Sequence, residues 1–507
     1  MSAHLAIAPV LAPFLAGLAL LALPRMPFAL QRAVTLAAVL AQAGIALALL
    51  DAVAGGEILV YRLGGWAPPW GIVLVADRLA AVMVLTTTLL ALCAAIHAGD
   101  GADRHGRHFH VLFQLQLFGL AGAFLTGDLF NLFVFFEVLL IASYGLLLHG
   151  GGAARTRAGL HYVVLNLLGS AVFLFAAGLL YATLGTLNLA DLALKAAALP
   201  PQDAGLARAG GLLLLAVFAL KAALLPLQLW LPAAYAATAA PVAALFAIMT
   251  KVGIYAILRT GTLLFGDTGT VLAGLFEPWL LPLGLATLAI GMAGALAAGS
   301  LRRLAAHLVV ASAGTLLTAS ALGAAGIAAG LYYLPHGSFA TAVLFLLADA
   351  IARRRPASAD GLAAGPDLPC HALWGALFLA AAVAAAGLPP LSGFIGKFLL
   401  LRAAAGQPLV WAVVLAGALL GTIALAGAGS RLFLASRADG DGTLQPALPF
   451  DDAAAPSARE LLAVGGLLGL IVALTLGAGA VFGFAEATAR QLLTPAAYIG
   501  AVLGAGP

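Results

Sequence analysis

Three lysines inside apolar stretches are the residues of this sequence best suited to chemistry. The chain contains 20 arginines but only four lysines, and Lys221, Lys251 and Lys397 all lie in long hydrophobic segments. Desolvation lets a buried lysine lose and regain its proton, whereas arginine stays protonated at any relevant pH. The use of lysine at these positions therefore predicts proton transfer.

Glu137 is a carboxylate in the middle of an apolar segment, LTGDLFNLFVFFEVLLIASYGLLL. A charge at that depth costs about 2.5–3.5 kcal/mol on insertion scales, so it needs a partner. We expect Lys221 to be that partner, because opening an ion pair would release the lysine to pass its proton on. The alternative is a static pair that fixes helix packing, although such pairs contribute little to stability.

Two histidines are further candidates for a proton route. His336 lies in YYLPHGSFATAVLF, and histidine is the side chain that titrates near neutrality. Its alternative role is to bond a carbonyl group freed by Pro335. His307, in RRLAAHLVVASAGTLL, is a candidate for proton uptake, and the alternative is a plain interfacial residue.

Other polar residues have simpler explanations. Asp349 and Arg353 have the i,i+4 spacing of a surface pair, and Asp128 is placed to cap a helix. Cys93 and Cys370 fit no metal-site spacing. Because the sequence also lacks nucleotide and metal motifs, we predict no cofactor and no metal site.

The elements that must position these residues are membrane helices. Of 507 residues, 63% are apolar and only 9% charged, with a mean hydropathy of +1.09, where soluble proteins carry roughly 25% charged residues. This composition excludes a soluble globular protein and gives no sign of nucleic-acid binding. Apolar stretches of about 20 residues predict an all-α polytopic membrane protein of about 14 spans, at residues 3–23, 28–50, 76–98, 109–125, 128–148, 159–181, 209–231, 239–262, 278–299, 303–325, 330–352, 372–403, 408–435 and 461–483.

Basic residues are distributed unequally between the two sides of these spans. Loops after the odd-numbered spans carry 14, namely Arg25, Arg32, Arg104, Arg107, Arg155, Arg157, Arg302, Arg303, Arg353, Arg354, Arg355, Arg431, Arg437 and Arg459. The remaining loops carry six, namely Arg62, Arg78, Lys195, Arg208, Arg259 and Arg402. The positive-inside rule then predicts that both termini lie outside the cytoplasm.

Prolines interrupt two spans in corresponding places. Pro226 lies within the seventh span, and Pro389 and Pro390 lie within the twelfth. Such breaks are tolerated at membrane depth only beside protein or a wet cavity, and paired breaks point to inverted repeats with an ion site between them. We therefore predict two inverted five-helix repeats, spans 4–8 and 9–13. The predicted regions are 1–108 with spans 1–3, 109–262 and 278–435 with the repeats, and 461–507 with span 14 and a tail.

The segments that carry these residues resemble a known family. LTGDLFNLFVFFEVLLIASYGLL, LKAALLPLQLWLPAAYAATAAPVAALFAIMTKVGIYAILR and GLPPLSGFIGKFLL are similar to the hallmark helices of antiporter-like membrane subunits. The resemblance covers about residues 75–435. The motif GDLFNLFVFFEVLL most resembles the D-type subunits of Mrp-type multisubunit cation/proton antiporters. These subunits are related to the proton-pumping subunits of respiratory complex I.

This resemblance implies a role for each candidate residue. Glu137 and Lys221 would form a switching pair, Lys251 would be the central relay lysine, His336 would bridge the two halves, and Lys397 would end the row. Protons would then move along the row near the membrane midplane.

The resemblance also implies what the chain does and where. It would be a secondary-transporter subunit of a bacterial cell membrane, not an enzyme, exporting Na⁺ or K⁺ in exchange for H⁺ beside subunits of the A, B, C, E, F and G types. The alternative is a proton-pumping subunit of an NADH–quinone oxidoreductase or membrane-bound hydrogenase. A scaffold that transports nothing is a third hypothesis, but it has no need for lysines in mid-span.

Two positions depart from the pattern of the family. Gln228 stands where many complex I relatives carry a histidine, and Thr341 stands where several relatives carry a lysine. The bridge between the halves is therefore expected to depend more on water. No cluster of carboxylates and carbonyls in the sequence marks a site for the transported cation.

Overall fold

The chain folds into a bundle of helices. The computed structural model describes residues 4–266, 270–355, 358–363, 368–434 and 455–504. Within these ranges, ten helices are long and apolar enough to cross a membrane, and three shorter apolar helices accompany them. The prediction of a mainly helical protein with many membrane spans is confirmed, while the number of 14 spans and the inverted repeats stay predictions.

The N-terminal region combines three helices with a β-hairpin. The helices are α1 (Ala8–Ala22), α2 (Phe28–Ala54) and α3 (Arg78–Ala98), and strands β1 (Leu59–Arg62) and β2 (Val73–Ala76) pair antiparallel between α2 and α3. The sequence had predicted only a loop at residues 51–75. The hairpin leads directly into Asp77, whose Oδ1 accepts a hydrogen bond from the Ala80 amide and so caps α3.

The next part of the chain holds Glu137 and the first two buried lysines. Its helices are α4 (Phe109–Leu125), α5 (Leu129–Leu148), α6 (Ala153–Leu184), α7 (Leu189–Ala197), α8 (Ala204–Lys221), α9 (Trp230–Ala237), α10 (Ala240–Phe246) and α11 (Met249–Leu264). The short helix α7 lies within residues 182–208, which the sequence had predicted as a loop. The Asn188 side chain accepts hydrogen bonds from two backbone N–H groups and so caps the start of this helix.

The predicted seventh span is broken in the structure, and the eighth is interrupted as well. Helix α8 ends at Lys221, and α9 begins only after Pro226. Helices α10 and α11 are separated at residues 247–248, whose amides bond to carbonyls three residues back. A 3₁₀ turn in mid-helix often marks a hinge. Lys251 follows this turn directly.

The second half of the bundle contains the other break. Its helices are α12 (Glu277–Leu296), α13 (Leu301–Ser320), α14 (Gly323–Arg354), α15 (His371–Ala386), α16 (Ser392–Ala403) and α17 (Pro408–Gly429), which continues as a π-helical turn at Ser430–Leu434. Pro389 and Pro390 lie between α15 and α16, where the sequence had placed a break. Pro335 lies inside α14.

The C-terminal region contains more helix than the sequence had indicated. In place of one span and a tail, it forms α18 (Ala458–Leu476), α19 (Ala478–Leu492) and α20 (Pro495–Leu503). Ser457 and Glu460 begin α18 with a capping box. Helix α19 exposes Glu486 and Arg490 on one side, so its apolar residues do not form a continuous hydrophobic run and hydropathy alone misses it.

The helices with candidate residues lie at the centre of the bundle. Nearly all of α10, α11 and α14 is buried, and α14 packs against α10, α13, α16, α18 and α19. The two ends of the bundle differ in charge. We call one end the basic face, where a polar pocket is lined by Asp100, His105, Arg155, Arg302, Asp349 and Arg353. We call the opposite end the Asp77 face, where Asp77, Arg259 and Tyr498 meet.

One basic residue that the sequence had placed in a loop lies inside a helix. Arg259, which the sequence had assigned to a loop, lies inside α11 and is 4% exposed. Hydropathy places the end of a span at a charge, but the Asp77 carboxylate allows this charge to remain in the protein interior. Arg437 lies outside the described residues.

Candidate functional site

Glu137 is held by helix α6. It lies in mid-α5, half-buried, and its Oε1 accepts a short hydrogen bond from the Ser170 hydroxyl. The same hydroxyl oxygen lies 3.0 Å from the carbonyl oxygen of Asn166, one turn earlier on α6. One serine on α6 therefore connects the carboxylate to the next turn of that helix.

Lys221 reaches the same two turns of α6 from the other side. It is the last residue of α8 and is 6% exposed. Its Nζ lies 3.3 Å from Oδ1 and 3.4 Å from the backbone oxygen of Asn166, and 5.8 Å from the centre of the Phe136 ring. A helix C-terminus and an aromatic face both favour a cation, so the site suits the protonated amine.

The expected direct ion pair between Glu137 and Lys221 is not seen. No salt bridge within 4.0 Å joins these two described residues, and their shared neighbours are Ser170 and Asn166. Helix α6 packs against both α5 and α8, so its polar residues bridge the two charges. The order Glu137, Ser170, Asn166, Lys221 forms a polar chain across three helices.

Lys251 has no hydrogen-bond partner among the described residues. It is fully buried near the start of α11, and the neighbouring Thr250 hydroxyl also lacks a partner. Unpaired buried polar groups are rare in native proteins, and they mark sites of function or of bound water. An unpaired ammonium would be costly there, so the site suits the neutral amine or a water-bridged cation.

The break between α15 and α16 lies beside the remaining two candidates. His336 on α14 is 2% exposed, and its Nδ1 lies 2.9 Å from the Ser392 hydroxyl at the start of α16. Lys397 on α16 donates from Nζ to the carbonyl oxygen of Ala386, the last residue of α15, at 2.6 Å. The two side chains therefore contact the two ends of one helix break.

Glycines allow this close approach. Gly387 has φ +72°, and an added Cβ would lie 2.8 Å from Lys397 Nζ. At Gly393, an added Cβ would lie 2.5 Å from both His336 Nε2 and the Ala384 carbonyl oxygen. At Gly393 the added Cβ would meet a backbone oxygen and an imidazole ring, which cannot move aside as the end of a lysine side chain can.

We expect Gly393→Ala to lower transport because the methyl group must displace His336 or the end of α15. The expected loss is about tenfold, since a displacement of about 1 Å at a reacting group can cost up to about a hundredfold. The measurement is cation-driven proton exchange at matched levels of assembled protein. Gly465→Ala on α18, whose Cβ would meet nothing within 4 Å, is the control, and equal rates in the two variants would contradict the assignment.

His307 lines a cavity that reaches the first helix break. This cavity of about 370 Å³ extends from Arg303 on α13 to Gln228 in the segment between α8 and α9. The Gln228 side chain is buried, and its Oε1 has no partner among the described residues. The lining is mainly apolar, and Gln228, Arg303 and His307 are its polar side chains. His307 therefore lies between the basic end of α13 and the first helix break.

Thr341 forms no hydrogen bond to another helix among the described residues. Its hydroxyl bonds to the carbonyl oxygens of Gly337 and Ser338 in its own helix. The hydroxyl at this position, which departs from the family pattern, is therefore hydrogen-bonded within α14.

The basic face contains ion pairs that the sequence had only partly predicted. Asp349 pairs with Arg353 as predicted, but it also contacts Arg302 and the buried His97 on α3. Asp128 caps α5 through the Asn131 amide, also as predicted.

A second acidic group on this face, Asp103, is firmly held as a carboxylate. Burial by itself would raise the pKa of Asp103, but hydrogen bonds from Arg32 and His110 hold that pKa well below its usual range. Asp103 is therefore a structural anion and does not pick up protons near neutral pH.

Four residues that form polar contacts in the structure were not identified from the sequence as functional candidates. Ser170 and Asn166 had a readable signal, because polar residues four apart in an apolar helix share one face. Asp77 and Arg259 are far apart in the sequence, and nothing local indicates that they pair.

Comparisons with known proteins give these features a context. Residues 126–423 match the family described as "NADH:quinone oxidoreductase/Mrp antiporter, TM". A protein of Rhizobium meliloti, named as the D subunit of a probable K(+)/H(+) antiporter, is 41% identical and is matched over 99% of this chain and 98% of its own length. The D subunit of an Na(+)/H(+) antiporter of Alkalihalophilus pseudofirmus is 35% identical over 99% of both chains.

The same similarity holds for three-dimensional structure. A chain of the solved Mrp complex from Dietzia sp. DQ12-45-1b is 29% identical and superposes with a TM-score of 0.86, with 99% of each chain covered. The predicted resemblance to the D-type subunits of Mrp antiporters is confirmed by these matches.

Proposed function

Since the chain belongs to the NADH:quinone oxidoreductase/Mrp antiporter family and is homologous to D-type antiporter subunits, we propose that it carries protons within a multisubunit monovalent cation/proton antiporter. It exports Na⁺ or K⁺ in exchange for H⁺ together with subunits of the A, B, C, E, F and G types. The observation that carries this proposal is that three of the four lysines of the chain are buried, two of them beside helix breaks and one beside a 3₁₀ turn.

In the proposed mechanism, helix α6 couples the switching pair. When Glu137 is ionised, the chain through Ser170 and Asn166 favours a protonated Lys221. Loss of that coupling lowers the affinity of Lys221 for its proton, which then moves to Lys251. His336 and Lys397 continue the relay at the second break, where Ser392 and Ala386 hold them.

The proposed membrane arrangement follows the distribution of basic residues. The basic face lies in the cytoplasm, so both termini lie on the outer side of the bacterial cell membrane. The chain crosses the membrane about 14 times, and its spans 4–8 and 9–13 are inverted repeats. The two breaks, at Pro226 and at Pro389–Pro390, support this arrangement because each lies beside a buried lysine.

We propose His307 as a proton-uptake residue, and we expect His307→Ala to have a mild effect. The rate should fall about two- to fivefold, because a water that bridges two polar groups can replace a proton carrier at little cost. Initial exchange rates over a range of cytoplasmic-side pH measure it. His371→Ala, at an exposed helix start, is the control, and identical pH profiles for both variants would exclude His307 from the route.

The second candidate function is proton pumping driven by redox chemistry in an NADH–quinone oxidoreductase or hydrogenase. The fold of the family is compatible with antiport and with redox-driven pumping, and the two functions differ in their source of energy. An antiporter responds to a cation gradient alone, whereas a redox pump requires an electron donor and acceptor.

The experiment that tests the proposal uses everted membrane vesicles from a host without its own Na⁺ or K⁺/proton antiporters. The vesicles contain the whole complex, and respiration first acidifies their interior. Adding NaCl or KCl should collapse the pH gradient, and choline chloride should not. If neither salt collapses the gradient while the complex is present, the proposed function is wrong.

A further inference from the structure

One face of helix α11 carries a row of buried polar side chains, of which the proposed relay uses only Lys251. Lys251, Tyr255 and Arg259 follow one another at intervals of four residues and are 0%, 2% and 4% exposed. Residues at this spacing lie on one face of a helix. At 1.5 Å per residue, the row extends about 12 Å from Lys251 toward the Asp77 face.

The far end of the row is closed by an ion pair. The Arg259 guanidinium donates to both carboxylate oxygens of Asp77, at 2.6 and 2.8 Å. It also lies against the rings of Tyr255 and Tyr498, at 5.4 and 5.1 Å from their centres. The Tyr255 hydroxyl donates to the Phe124 carbonyl oxygen on α4 at 2.7 Å, so four parts of the bundle meet here.

Polar atoms at both ends of the row lack partners. Within the described part of the chain, Lys251 Nζ at the inner end and the Tyr498 hydroxyl at the outer end form no hydrogen bond, and both residues are at least nine-tenths buried. Asp128 is the other acid near Tyr498, and its side chain is occupied in capping α5. A static anchor needs neither a free amine nor a free hydroxyl, whereas a proton route uses both.

We propose that this row is a proton route between Lys251 and the Asp77 face, and that the Asp77–Arg259 pair is its gate. The inference rests on the proposed function. A hydronium ion on the Asp77 face gives a proton to the Asp77 carboxylate and is left as water. Protonation of Asp77 weakens the two bonds from Arg259. The proton then passes through the tyrosine hydroxyls and water to the Lys251 amine. Asp77 is again a carboxylate, the pair re-forms, and Arg259 stays protonated throughout.

The alternative is that the pair only anchors the hairpin and α20 to the bundle. A buried pair is weak support for stability by itself. The chain offers a second buried Arg–acid pair for comparison, at the opposite end of the bundle. Arg354 and Glu460 are buried on the basic face, with contacts of 2.8 and 3.2 Å, and Arg354 also lies over an aromatic ring.

The test measures proton leak and cation exchange in proteoliposomes that contain the whole complex. Asp77→Asn should raise leak without added Na⁺ or K⁺ several-fold, because the amide no longer holds Arg259 as an ion pair and water can then carry protons past position 77 without control. Adding Lys251→Met should return that leak to the wild-type level. Glu460→Gln, which retains the capping box of α18, should leave leak unchanged.

Tyr498→Phe tests the same route if Asp77→Asn does not assemble. It removes an unpaired hydroxyl, so assembly should be normal, and exchange should fall about tenfold, since a positioned proton donor contributes about 10²–10⁴ in rate. Wild-type exchange in Tyr498→Phe, or a leak in Asp77→Asn that survives Lys251→Met, would overturn the inference. Neither result touches the proposed function, which fails only if the wild-type complex exchanges no cation for protons.

Discussion

Replacing Lys251 with methionine should reduce cation-driven proton exchange about a hundredfold, because a positioned proton carrier contributes about 10²–10⁴ in rate. Lys251 is fully buried with no hydrogen-bond partner in the described part of the chain. Methionine fills a similar volume without an amine to desolvate, so the complex should assemble normally. The measurement is the initial exchange rate in vesicles with equal amounts of assembled complex.

Lys251→Arg sharpens this prediction. Arginine keeps the positive charge but does not release its proton, so the variant should be as inactive as Lys251→Met. Lys195→Met is the matched control, because Lys195 is the one lysine on an exposed pair, with Asp191. If Lys251→Arg exchanges at the wild-type rate, the lysine contributes charge and not proton transfer.

The second large effect is expected at the polar chain on α6. Glu137→Gln should lower exchange at least about tenfold, and Lys221→Met should do the same, because each removes one end of the switch. If α6 couples the two, Lys221→Met in the Glu137→Gln background should add little further loss. Non-additive effects of this kind are the signature of residues that act together.

Ser170→Ala tests whether the coupling runs through α6. It removes the donor to Glu137 while leaving both charges. We expect exchange to fall about three- to tenfold, since a typical hydrogen bond contributes about 0.5–1.5 kcal/mol and about 1.4 kcal/mol is a tenfold change in rate. Thr183→Ala is the control, because Thr183 lies on the same helix and bonds only to carbonyls of that helix among the described residues. Equal rates in the two variants would show that Glu137 and Lys221 interact without α6.

Much of the site was predictable because it depends on local sequence. A lysine in an apolar run must be buried, and the structure leaves Lys221, Lys251 and Lys397 no more than 9% exposed. Proline disfavours a helix interior, and the breaks at Pro226 and at Pro389–Pro390 are where the sequence indicated, whereas Pro335 lies inside the continuous helix α14. These inferences need no knowledge of which helices are neighbours.

What the sequence did not predict depends on neighbours. Glu137 and Lys221 both lie within predicted spans, but that placement does not reveal that α6 packs against the helices of both. The pairing of Asp77 with Arg259 joins residues 182 positions apart, so no local pattern in the sequence indicated that the Arg259 charge lies inside the bundle. Helix α19 was missed because its polar side interrupts the hydrophobic pattern.

The most direct test of the central claim is cation-driven proton movement by the purified complex in proteoliposomes, without an electron donor. A pH-sensitive dye inside the liposomes reports proton movement when an inward or outward gradient of Na⁺ or K⁺ is imposed. We predict a change in internal pH with the wild-type complex and none with an assembled complex that carries Lys221→Met and Lys251→Met together. Undiminished proton movement in that assembled variant would contradict the account, because protons would then cross without the buried lysines.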